Sequence, residues 1–114
     1  MAEHDPSADS GRVYRIDKFA VPAASRDEFL DRVAKTHDLL RRQQGFVDAM
    51  VAEQISGPGA FNVVTVVQWE RAEVIDRVAA EVAKWHAETG FDREALVVRL
   101  GIRADIATYR RLPM

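Results

Sequence analysis

The chain of 114 residues has no cysteine, so disulfides, thiolate metal sites and a cysteine nucleophile are excluded. It also lacks any apolar run near the roughly 18–20 residues of a membrane-spanning helix. The polar start, Met1 to Arg12, holds no apolar signal-peptide core. A basic surplus is missing too: 16 Lys+Arg stand against 18 Asp+Glu, a formal charge of −2. A nucleic-acid binder needs such a surplus on one face. No Gly-rich phosphate loop, Gly-x-Ser-x-Gly elbow or dinucleotide fingerprint occurs. Three scattered histidines without paired spacing give no metal site. What is present is 47% apolar residues, the globular average, at a length typical of one domain. The expectation is a single cytoplasmic domain with neither nucleic acid nor membrane as partner.

Residues 1–11 (MAEHDPSADSG) have little to bury and read as a disordered N-terminal tail, leaving 12–114 as the domain. Arg12 to Val21 alternates apolar and polar residues, a strand that Pro22 ends. Ser25 with Glu28 fits a capping box. The helix behind it carries Phe29, Leu30, Val33, His37 and Leu40 on one stripe, with Asp27, Asp31, Arg32, Lys35, Arg41 and Arg42 on the wet side. Gly45 follows as a left-handed cap. Phe46 to Ile55 and Phe61 to Glu70 are β-rich runs around the turn signal Ser56-Gly57-Pro58-Gly59-Ala60, hence a hairpin. The valines at 63, 64, 66 and 67 predict a central strand covered on both faces. Arg71 to Thr89 returns to a helical period through Ile75, Val78, Val82 and Trp85, and Gly90 closes it. A short helix over Asp92 to Leu100, against which Trp85 should pack, and a last strand over Ile102 to Leu112 complete the chain.

The order β-α-β-β-α-(short α)-β predicts an α+β, ferredoxin-like βαββαβ fold: an antiparallel sheet of order 4-1-3-2 with both long helices on one face. The bare second face is too apolar to stay wet. Its economical cover is the same face of a second copy, so the expected assembly is a homodimeric α/β barrel.

A strand ending in Val-Pro, a capped helix, then Gln44-Gly45-Phe46 and a return strand ending Val66-Val67-Gln68-Trp69-Glu70 together resemble the antibiotic biosynthesis monooxygenase (ABM) domain over residues 12–110. The resemblance implies a small homodimer with a pocket between sheet and helices in each protomer. Several such proteins are cofactor-free oxygenases of phenols, in which the substrate itself reduces O₂; others bind and break haem. It also implies that Trp69 walls the pocket against an aromatic or other small hydrophobic molecule, the alternative being a Trp that covers the sheet–helix corner. The oxygenases place an Asn four residues before this Trp and a Tyr six after. Here Thr65 keeps a polar group and Ile75 does not.

His37, within the first helix's apolar stripe, is a pocket acid/base or a core histidine bonded to a carbonyl. His86 is the candidate axial haem ligand, near where haem-degrading relatives carry theirs. Those relatives also place an Asn in the first strand and a second Trp midway along this helix, where Asp17 and Val78 stand. Arg15-Ile-Asp17 and Arg103-Ala-Asp105 lie in strands expected to be neighbours. On one face they would form a charged cluster that binds an anionic or carbonyl-bearing substrate, or an ion-pair network that fixes register. Tyr14 and Tyr109 would border it. Three functions follow in order of preference: a cofactor-independent monooxygenase of an aromatic or quinol-like molecule using Trp69, His37 and His86; a non-catalytic small-ligand-binding dimer; and a haem protein using His86.

Overall fold

The computed structural model describes residues 11–114, so the expected tail lies outside the described residues apart from Gly11. Strand β1 (Val13–Ala20) leads through one 3-10 turn at Ala23–Ser25 into α1 (Arg26–Arg41). The hairpin β2 (Phe46–Glu53) and β3 (Val63–Trp69) follows, then α2 (Ala72–Thr89), α3 (Arg93–Leu100) and β4 (Arg103–Arg110). All pairings are antiparallel, and the sheet order is β2-β3-β1-β4, the α+β ferredoxin-like arrangement expected. β1 is extended beyond its last ladder residue by a side chain. Asn62 accepts from the Val21 N–H and donates to the Val21 carbonyl, each at 2.8 Å, in place of a strand partner.

The helix starts differ from expectation at one end. Ser25 is the N-cap of α1, yet its hydroxyl makes no cap bond; it donates to the Leu100 carbonyl at 2.8 Å. Glu28 pairs with Arg99 rather than reaching back to its own helix. Both halves of the capping box are therefore spent on fastening α3 to α1. Asp92 caps α3 as expected, accepting from the Ala95 N–H at 3.1 Å. Gly45 stands at φ 94°, where an added Cβ would meet both Val74 methyls at 2.7 Å. Here glycine serves the turn and the packing of α2 at once.

Strand pairing assigns side chains to two faces. Val13, Arg15, Asp17 and Phe19 share one face with Val63, Thr65, Val67 and Trp69; the helices cover this side. Tyr14, Ile16, Lys18, Val64, Val66 and Gln68 point the other way. Within one chain Val63, Thr65, Val67 and Trp69 are buried on the helix side, whereas Val64, Val66 and Gln68 on the other face are half-buried. The core divides into two clusters. Phe19, Val21, Phe29, Val63, Leu100 and Ile102 form one; Val67, Trp69, Val74 and Val78 form the other. Between them on the sheet lie the polar side chains Asp17, Arg15 and Thr65.

Candidate active site

Polar residues in the middle of a core face leave a gap that apolar packing does not fill. The gap is a cavity of about 400 Å³ between the sheet, α1, α2 and the start of α3. That volume lies within the range of small-molecule sites. Its floor is Arg15, Asp17, Thr65, Val67 and Trp69; α1 contributes Phe29, Arg32, Thr36 and His37; α2 contributes Ile75, Val78 and His86; Phe91 and Arg93 stand at the far end.

Asp17 is shielded, its side chain 16% exposed, and it accepts a 2.8 Å bond from Arg15 Nε. Burial pushes its carboxyl above the ordinary range, and the positive charges of Arg15 and Arg93 offset only part of that. His37 is 6% exposed on the facing helix. Burial lowers its pKa, Arg41 lowers it further, and Asp17 pulls it back. At neutral pH the pocket thus holds a neutral imidazole, able to accept a proton, within the field of a carboxylate. Trp69 is 4% exposed and meets Phe46 edge-on at 5.8 Å, so it both seals the corner and lines the cavity.

His86 also lines the cavity, its ring 5.3 Å from Trp85 and 4.9 Å from Phe91. Burial lowers its pKa, and the charges of Arg32 and Arg93 add to that. Its Nε2 is enclosed without a hydrogen-bond partner. The Arg32 guanidinium lies 5.0 Å from the centre of the Trp85 ring.

Six of the eight residues singled out from the sequence meet here: Trp69, His37, His86, Thr65, Arg15 and Asp17. Tyr14 and Arg103 do not. In the β1–β4 register Arg15 sits opposite Thr108 and Asp17 opposite Ile106, while Arg103 and Asp105 oppose Ala20 and Lys18. The two Arg-x-Asp patterns therefore occupy opposite faces, and the expected four-charge cluster is replaced by an Arg15–Asp17 pair within one strand. Tyr14 and Tyr109, opposite each other in that register, share the outer face with Arg103. Two residues that matter were missed, Arg32 and Arg93. Arg32 reads from charge alone as part of the wet side of α1, although its spacing of three from Phe29 puts it on the border of the buried stripe.

This fold has counterparts among solved structures. A candidate monooxygenase from Shewanella loihica superposes with a TM-score of 0.70 at 18% identity, covering 91% of this chain and 97% of that one. SnoaB, a cofactor-independent oxygenase from Streptomyces nogalater, gives 0.65 at 18% identity over 91% of this chain and 96% of its own. MhuD, a haem-degrader from Mycobacterium tuberculosis, gives 0.66 at 19% identity over 90% and 97%. The chain has the ABM monooxygenase fold. No family model and no curated protein matches this sequence. The counterparts fall into two chemistries, one cofactor-independent and one haem-binding. The ABM-like cavity does not fit an axial haem ligand as it stands. The Nε2 of His86 has no open surface, and the two guanidinium charges flanking the ring oppose a metal cation there.

Proposed function

We propose that this chain is a small homodimeric oxygenase that oxidises an electron-rich aromatic or quinol-like molecule without a cofactor. The observation that carries the reading is one apolar-walled cavity holding a neutral His37 and the shielded carboxylate of Asp17 beside Thr65 and Trp69. Such a site suits a planar substrate lying against the Trp69 indole, its acidic proton directed at the imidazole. Proton removal leaves an anion that gives O₂ two electrons as the C–O bond of a peroxide forms; loss of the remaining C–H proton as the O–O bond breaks supplies the other two. One oxygen atom stays in the product and the other leaves as water, so no external reductant enters the balance. The enclosing side chains keep bulk water from the anion. Thr65 keeps a hydroxyl where a substrate oxygen can be held. Arg15, whose fork is tied to Asp17, positions that carboxylate. The homodimer part of the reading rests on the uncovered second face of the sheet.

The test is O₂ uptake with anthrone and 1,4-naphthalenediol, wild type against His37→Gln and Trp69→Ala. The expected result is consumption above the spontaneous rate, lowered by about 10²-fold in His37→Gln, as for the loss of a general base. Rates equal to the spontaneous background for both compounds, with binding retained, would replace the oxygenase by the non-catalytic binder. A haem titration monitored by visible absorbance is expected to give no Soret shift that depends on His86; a stoichiometric shift lost in His86→Ala would restore the haem reading.

A further inference from the structure

The far end of the cavity is unlike its floor. Arg15 on the floor is neutralised by Asp17, but Arg32 and Arg93 have no carboxylate partner among the described residues. Arg32 is half-buried, its guanidinium carbon 3.3 Å from the Phe91 ring centre and 5.0 Å from that of Trp85. Its Nε–H is enclosed with no acceptor. A desolvated cation with an unused donor is costly, and ring faces compensate only part of that. Arg93, exposed at the start of α3, stands at the rim of the same space, close enough for its charge to act on both Asp17 and His86. The cavity is thus lined by three arginines, one aspartate and two histidines.

We infer that Arg32 and Arg93 form an anion subsite that takes a carboxylate carried on the aromatic ligand of the cavity. The inference rests on the reading of the cavity as an aromatic-ligand site and adds the substrate class: an aryl carboxylate rather than a neutral phenol. A guanidinium presents parallel N–H groups that match a carboxylate in a fork, and the rings of Phe91 and Trp85 fix the plane of Arg32. With the carboxylate held there, the ring system extends over Ile75 and Val78 toward Trp69, and its other end reaches His37 and Thr65. The subsite thereby orients the ligand and rejects an uncharged analogue, whose arrival would leave the Arg32 donor unpaired.

The probes are 2-naphthoate and its neutral isostere 2-naphthamide, titrated calorimetrically into the intact protein. Wild type is expected to bind the carboxylate at least about tenfold more tightly, the margin of a charge-assisted hydrogen bond. Arg93→Gln, at an exposed position that folding tolerates, should cut the ratio severalfold. Arg32→Met, which keeps the apolar stem against Phe91, should bring it near one. Arg42→Gln removes the same charge away from the cavity and should leave the ratio unchanged. Equal affinities in wild type, or an equal loss in Arg42→Gln, would overturn the anion subsite while leaving the cavity as an aromatic-ligand site. Binding of neither compound would overturn both.

Discussion

Two single positions separate backbone effects from charge effects. Gly45 combines a positive φ with van der Waals contact against Val74, itself 2% exposed, whereas Gly90 has the same backbone hand with open space around it. Gly45→Ala should therefore cost about 3 kcal/mol, left-handed strain plus overpacking, and Gly90→Ala about 1 kcal/mol, strain alone. Urea unfolding of the two variants measures the difference. Asp17 supplies the charge counterpart. Its carboxyl is raised by burial despite Arg15, so the folded state holds that proton more tightly than the unfolded state does. The resulting stabilisation is full below the unfolded value of 3.8 and is lost as pH rises through the higher folded pKa. Asp17→Asn, which removes the charge that is penalised, should gain in Tm relative to wild type at pH 7.5 by more than at pH 4.5. A difference that is the same at both pH values would mean that the Arg15 bond, not desolvation, governs this site.

At the scale of elements, α3 is tied on by groups the sequence assigns elsewhere. The hydroxyl of Ser25 takes the Leu100 carbonyl at the end of α3, and Glu28 takes Arg99. Ser25→Ala should cost about 1 kcal/mol, the net worth of one hydrogen bond. Amide exchange localises the effect: faster exchange is expected through α3 and at Gly101, with the first turn of α1 unchanged. Acceleration confined to α1 would restore the capping box. The same pair shows what sequence pattern conveys and what it omits. Periodicity placed β1, α1, the hairpin, α2 and the last strand to within a residue or two, because each is an apolar stripe of fixed period bounded by Pro, Gly or Asp. The helical stripe put His37 on the inward side of α1, whereas Trp69 and Thr65 were placed at a pocket by the resemblance. Periodicity failed wherever the answer depends on a second element. Arg15 and Arg103 share a face or oppose each other according to one residue of register between β1 and β4, and no pattern within either strand sets that parity. Arg32 reads as solvated until Phe91 and Trp85, far along the chain, supply rings for its guanidinium.

For the whole molecule the unsettled quantity is what covers the second face of the sheet. Among the described residues no helix lies over it, and none is long and apolar enough to cross a membrane. The centre of this face is Ile16, Val64, Val66 and Met50, the last 54% exposed, with Tyr109 at 42% toward one edge. Lys18, Arg103 and Asp105 gather toward the other end. An apolar middle with charges of both signs at its border suits a self-complementary two-fold contact, in which Arg103 of one copy meets Asp105 of the other. In the proposed dimer the Arg103-Ala-Asp105 pattern would serve alignment, since it lies on the outer face of the sheet. Val66→Lys introduces a charge at the centre of that face without touching the helix-covered core. Sedimentation equilibrium should show wild type as a dimer and the variant as a monomer with an unchanged far-UV spectrum. A monomeric wild type, or a folded Val66→Lys that stays dimeric, would rule out this face as the interface. The cavity lies on the opposite, helix-covered side of the sheet. The monomeric variant should therefore bind 2-naphthoate as wild type does, because assembly covers the sheet and leaves the site to the helices.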